Sequence, residues 1–168
     1  MNQNCKDHIE LINRQIKELI GLYRDAVKEL NIPESEFWIW YTLITGNNEY
    51  TQQDICSLWS LPKQTVNTII ARFRLKKYAL LEAIPGTRNH KCIRLTEEGR
   101  KYGESLIAPV LHAEQCAFAR IAPEELEVVS TTFGSYIEII RTELGGIKRQ
   151  EAPKPRLPRL IKRSKVCD

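Results

Sequence analysis

Between Pro62 and Tyr78 the chain carries Lys63, Arg72, Arg74, Lys76 and Lys77 and no acid. Such a local positive field is what a phosphate backbone attracts. On a helix turning about 100° per residue, Val66, Ile69, Ile70 and Phe73 fall on one side, with Gln64, Thr68 and Ala71 nearly opposite and Thr65, Asn67 and Arg72 flanking them. Gln and Asn can pair bidentately with adenine, and Thr offers a hydroxyl or a methyl to thymine. Gln64, Thr65, Asn67 and Thr68 are therefore candidate base-reading residues, and Lys63, Arg72, Arg74, Lys76 and Lys77 candidate phosphate contacts. Taken alone, a basic helix is more often simply a solvated surface. Its neighbours decide between the two readings: a second basic cluster, Arg88, Asn89, His90 and Lys91, follows at the tip of a predicted hairpin.

These side chains need a scaffold. Thr51-Gln52-Gln53-Asp54 reads as a capped entry to a short helix through about Trp59, Ser60-Leu61 as a tight break, and Pro62 as the first position of the next helix, running to about Tyr78. Two short helices around a short turn form a helix-turn-helix. Leu80 to Ile84 and Lys91 to Leu95 then read as strands around a basic loop, which makes the hairpin a wing. Upstream, apolar residues from about His8 to Leu30 recur at three and four, predicting a long amphipathic helix, and the run Phe37 to Ile44 after Pro33 predicts a buried one. Downstream, Thr96 caps a helix through Phe118 that Pro109 should bend, and a last helix runs from Pro123 until Gly145-Gly146. The fold class expected is mainly α with a small β-hairpin wing. Residues 1–32 would be a dimerisation helix, 33–100 a winged helix-turn-helix, 101–146 C-terminal dimerisation helices, and 147–168 a basic, Pro-containing, disordered tail.

Charge is uneven. Lys148 to Asp168 carry eight Lys/Arg against Glu151 and Asp168, a net +6 in a chain of +4, which leaves residues 1–147 at −2. Local clusters, and not the total, must carry any DNA argument. The tail could add nonspecific phosphate contacts or merely solubilise. Five cysteines without a CxxC pair, and the scattered His8, His90 and His112, suggest no metal, no cofactor and no disulfide framework. No nucleophile elbow, phosphate-binding glycine loop or carboxylate pair appears, so no enzyme is expected. With no predicted membrane span or leader, the expected compartment is the cytoplasm.

The stretch Thr51 to Arg100, and more loosely His8 to Leu144, resembles the multiple antibiotic resistance regulator (MarR) family. Leu61-Pro62-Lys63-Gln64-Thr65-Val66-Asn67 matches its recognition helix, and Leu95-Thr96-Glu97-Glu98-Gly99 the return from wing to helix. The resemblance implies a homodimer intertwined through its first and last helices. It also implies binding to a pseudo-palindromic operator on double-stranded DNA, generally as a repressor, and release by a small aromatic acid or an oxidant. Two departures stand out. The family's wing carries Asp-x-Arg where this one reads Gly86-Thr87-Arg88, leaving Arg88 a candidate for the minor groove without its carboxylate support. Tyr78-Ala79 stands where many members have Gly.

Tyr23, Phe37, Trp38, Trp40 and Tyr41 could line an effector pocket or simply form core. Cys5, ahead of the first helix with Lys6 beside it, is either a redox-active or an ordinary surface thiol. The alternative to operator recognition is a winged helix that docks a protein or an RNA.

Overall fold

The computed structural model of the chain describes residues 3–46, 49–84, 86 and 91–146. Two units divide after Phe118. The first holds α1 (Gln3–Glu29), α2 (Glu34–Thr45), α3 (Gln52–Trp59), α4 (Lys63–Leu75), β1 (Ala79–Ala83), β2 (Lys91–Leu95) and α5 (Glu97–Phe118); the second holds α6 (Pro123–Gly145). This is the mainly α, winged helix-turn-helix arrangement that the apolar periodicity predicts.

Helix α1 begins a turn earlier than its apolar pattern suggests. Side-chain pairs one turn apart, Gln3 to Asp7 at 2.9 Å and Lys6 to Glu10 at 3.9 Å, support that extra turn. Only the far end of α1 enters the core, through Val27. Helix α2, apolar nearly all round, supplies Phe37, Ile39, Trp40 and Leu43, around which Ile55 of α3, Val66, Ile69, Ile70 and Phe73 of α4, and Ile107 and Val110 of α5 close. Trp40 stacks on Phe73 with ring centroids 4.1 Å apart, tying α2 to the inner face of α4.

The wing is a two-stranded antiparallel hairpin in which Ala79 faces Leu95 and Ala83 faces Lys91. Tyr50 and Thr51 extend it: the Ile93 N–H donates to the Tyr50 carbonyl at 2.8 Å, and Thr51 bridges to Cys92. The entry to α3 is thereby fixed to the wing.

Helix α5 approaches this assembly more closely than a side chain would allow. A Cβ on Gly99 would lie 2.0 Å from the Tyr78 carbonyl oxygen, and one on Gly103 2.7 Å from the Trp40 ring. Thr96 completes the joint: its N–H donates to the Tyr78 carbonyl at 3.0 Å, its hydroxyl donates to the Lys77 carbonyl at 2.7 Å and accepts from the Gly99 N–H at 3.0 Å. The Thr-Glu-Glu-Gly sequence is thus a helix cap and a glycine contact in one. Pro109 lies inside α5, where it removes one backbone donor.

In the second unit, α6 starts with Pro123 at its first position, and the Glu125 carboxylate accepts from the Ala122 N–H at 3.3 Å. None of its residues is buried: Val129, Phe133, Ile137, Ile140 and Leu144 all stand exposed.

Candidate nucleic-acid interface

The turn between α3 and α4 is built from backbone preferences. Thr51 and Asp54 cap α3 reciprocally, the Asp54 N–H donating to the Thr51 hydroxyl at 3.2 Å and the Thr51 N–H to the Asp54 carboxylate at 2.8 Å. Ser60 stops α3 in the left-handed region at φ 51°, and the Leu61 N–H closes on the Cys56 carbonyl at 3.1 Å. Pro62 is one residue outside the position predicted for it. With φ −58° and ψ 137° it occupies the cap, where its carbonyl accepts from Val66 at 3.2 Å.

Helix α4 ends at Leu75, earlier than the apolar pattern alone indicates. Lys77 takes φ 59°, the Lys77 N–H reaches the Arg74 carbonyl at 3.0 Å, and the Tyr78 N–H reaches the Phe73 carbonyl at 2.8 Å. This is the usual glycine-type helix stop made with a lysine, one residue ahead of Tyr78-Ala79.

With Val66, Ile69, Ile70 and Phe73 buried, α4 turns Gln64, Asn67, Thr68 and Ala71 outward. Thr65 is half-buried at the edge and lies beside Pro33, Ser35, Thr68 and Arg72. Lys63 and Asn67 lie on the other edge, sharing a shallow depression with Thr51, Gln52, Gln53 and Lys91. The Thr68 hydroxyl donates to the Gln64 carbonyl at 2.9 Å, which leaves its oxygen lone pairs and its methyl to face outward. Lys91 is exposed at the foot of β2. The remaining wing candidates, Arg88, Asn89 and His90, lie outside the described residues.

Lys63, Arg74, Lys76 and Lys77 are exposed, Lys76 with its ammonium 5.9 Å from the Tyr78 ring centre. Arg72 differs. Its Nη2 donates to Glu36 of α2 at 2.5 Å, and its Nε is buried. Glu36 escaped the sequence reading, yet it left a signal: an acid one turn before Trp40 on a helix whose faces are all apolar needs a cation inside the fold.

The aromatic cluster separates into two groups. Phe37 and Trp40, candidates for either a pocket or the core, are each 0% exposed and are core, because they occupy the face of α2 that α4 and α5 cover. Tyr23, Trp38 and Tyr41 are half-buried, and Trp38 stacks on Trp59 with centroids 4.3 Å apart. Tyr23 and Tyr41 donate to the two oxygens of Glu114, at 2.5 and 2.7 Å. Burial first, and then the hydrogen bond to this carboxylate, push both phenols upward, Tyr41 to about 12. Tyr23 and Glu114 border a groove of ≈ 450 Å³ between α1 and α5, walled by Leu19, Leu22, Ala26, Leu30, Val110 and Ala113.

Cys5 is exposed, and neighbouring Lys6 pairs with Glu10. Among the described residues there is no cluster of three or more His, Cys, Asp or Glu that could hold a metal ion, and no helix long and apolar enough to cross a membrane.

No protein-family model matches the sequence, and no curated protein matches it. Solved structures do. NMB1585, a MarR family regulator from Neisseria meningitidis, is 21% identical with a TM-score of 0.70, covering 86% of this chain and 98% of its own. S. aureus MepR in its DNA-binding conformation is 18% identical with a TM-score of 0.63, over 79% of this chain and 98% of its own. An S. aureus MepR–DNA complex gives 18% identity and a TM-score of 0.54, over 79% and 97%. At these identities the likeness establishes the fold: this chain has the winged-helix architecture of MarR family regulators.

Proposed function

We propose that the chain is a sequence-specific regulator of transcription that binds double-stranded DNA as a homodimer and represses by occluding a promoter. The observation that carries this reading is the outward stripe Gln64, Asn67 and Thr68 on a helix with Lys63 exposed at its start and Arg74, Lys76 and Lys77 exposed at its end. Amide and methyl groups there suit base edges in a major groove, and the flanking cations suit phosphates. The fold is shared with a protein solved in complex with DNA, S. aureus MepR. The exposed apolar residues of α1 (Ile9, Leu19, Ile20) and of α6 (Phe133, Ile137, Ile140) support packing against a second copy. A two-fold pair would set its α4 helices in successive major grooves about 34 Å apart, matching a pseudo-palindromic operator.

Release by a small ligand is the finer part of this reading. The groove between α1 and α5 has the size and apolar lining for one. Its charged wall residues, Glu29 and Glu114, are carboxylates. An uncharged or cationic aromatic compound therefore suits it better than an aromatic acid.

The test is selection of genomic fragments by the purified chain at physiological salt, followed by titration of the enriched duplex against a scrambled one. An inverted repeat with half-sites about one helical turn apart supports the reading. Uniform weak binding without an enriched site refutes it in favour of a protein-docking winged helix, and preference for A-form duplexes favours an RNA-binding one.

A further inference from the structure

Five cations lie between Pro62 and Tyr78, and among the described residues the fold pairs one of them, Arg72, with an acid, Glu36. Glu36 sits in the first turn of α2, where the helix dipole favours a carboxylate. Its side chain is 11% exposed against 43% for Arg72, and the two meet at 2.5 Å. The Arg72 Nε is buried beside this contact. The guanidinium is therefore held against the body of the protein, whereas Lys63, Arg74, Lys76 and Lys77 project from it.

Arg72 follows Thr65 and Thr68 by seven and four residues, so it shares their edge of α4, and all three lie beside Pro33 and Ser35 at the start of α2. A link from α2 to this edge restrains rotation of α4 about its own axis. That rotation decides which of Gln64, Thr65, Asn67 and Thr68 reaches a base edge.

We propose that Glu36 is a positioning residue for the DNA-reading helix: it removes Arg72 from the phosphate-contacting set and uses it to fix the roll of α4. The inference rests on the DNA-binding reading above. A cation already matched by a carboxylate displaces no counterion from DNA, so Arg72 contributes specificity without contributing to the salt dependence.

The test is fluorescence-anisotropy titration of the full chain with the enriched duplex and a scrambled one, across salt concentrations. Glu36→Gln frees the guanidinium, and the log–log salt slope should steepen by about 0.9, roughly a 3.5-fold greater loss of affinity between 50 and 200 mM salt. Its preference for the enriched site should fall about tenfold or more, the scale of one lost base contact. Arg72→Ala should lower that preference with the wild-type slope unchanged, and Arg72→Lys should restore part of it. Where Arg72→Ala does not fold, the double variant Glu36→Gln with Arg72→Gln leaves no unpaired charge and should keep the wild-type slope. A slope shallower by about 0.9 in Arg72→Ala or in the double variant, or an unchanged slope in Glu36→Gln, overturns the inference alone. A wild-type chain that binds no duplex overturns the DNA-binding reading and the inference together.

Discussion

Gly99→Ala and Gly134→Ala add the same methyl group to helices, and the two substitutions should move stability in opposite directions. At Gly99 the new Cβ would lie 2.0 Å from the Tyr78 carbonyl oxygen and 2.7 Å from its carbonyl carbon. Relaxed carbon–oxygen contacts begin near 3.3 Å, so α5 and the wing base must separate by about 1.3 Å. Both neighbours are backbone, and no side chain can swing away. Overpacking of this kind costs about 1–3 kcal/mol. The separation also stretches the two hydrogen bonds, 3.0 and 2.7 Å, by which the Thr96 N–H and hydroxyl hold the Tyr78 and Lys77 carbonyls, each contributing about 1 kcal/mol. Alanine's better helix propensity offsets about 1 kcal/mol, leaving a net loss of about 2–4 kcal/mol. At about 2–4 °C per kcal/mol for a chain of this size, Tm should fall by roughly 5–15 °C. At Gly134 nothing lies within 4 Å of the new Cβ, so only the propensity gain remains. Tm should there rise by about 2–4 °C. Thermal melts of both variants at one fixed protein concentration test this, since a dimer's Tm depends on concentration. A Gly99→Ala variant as stable as wild type would refute the close approach of α5 to the Tyr78 backbone.

Gln64→Ala combined with Thr68→Ala should cost about 2–5 kcal/mol of preference for the enriched duplex over the scrambled one, with an unchanged salt slope, as paired anisotropy titrations would show. Lys77→Gly should raise stability by about 1 kcal/mol, because Lys77 sits at φ 59°, and should make the salt slope shallower by about 0.9; urea unfolding and salt titration read the two effects separately. Phe133→Glu places a charge among the exposed apolar residues of α6; if the proposed homodimer packs through them, sedimentation should show the variant as a monomer where the wild-type chain is a dimer, with loss of tight binding to the enriched duplex. Tyr41, raised to about 12 and next to Glu114, keeps its proton in the folded state where an unfolded tyrosine loses it. Its contribution to stability is thus complete below pH 10 and lost as pH rises towards about 12. Ultraviolet titration of phenolate absorbance in the folded protein should show Tyr23 and Tyr41 ionising last, and Tyr23→Phe with Tyr41→Phe should remove that late step.

Much of the architecture could be read from local rules. Helix α4 was legible because Val66, Ile69, Ile70 and Phe73 recur at helical spacing, and the hairpin because two apolar runs flank a Pro-Gly turn. The same periodicity placed Gln64, Asn67 and Thr68 on the outer face, since burying one stripe of a helix exposes its opposite. Whether Phe37 and Trp40 form core or line a pocket was left open by the sequence for a related reason. On a helix apolar nearly all round, periodicity cannot say which aromatics meet the core and which meet a groove.

The sequence alone therefore determined the succession of elements, the buried and exposed faces of α4, and the cation-rich segment after Pro62. These depend on properties of residues three or four apart, and neighbours on one helix turn need no knowledge of the rest of the chain. The tertiary structure decided three things that join residues far apart in sequence. Glu36 takes Arg72 out of the free cations across 36 positions. Glu114 gathers the hydroxyls of Tyr23 and Tyr41 across 91 and 73 positions. Gly99 lets α5 rest on the Tyr78 backbone. Charge pairing and close approach depend on distance in space, and only the packed fold sets that distance.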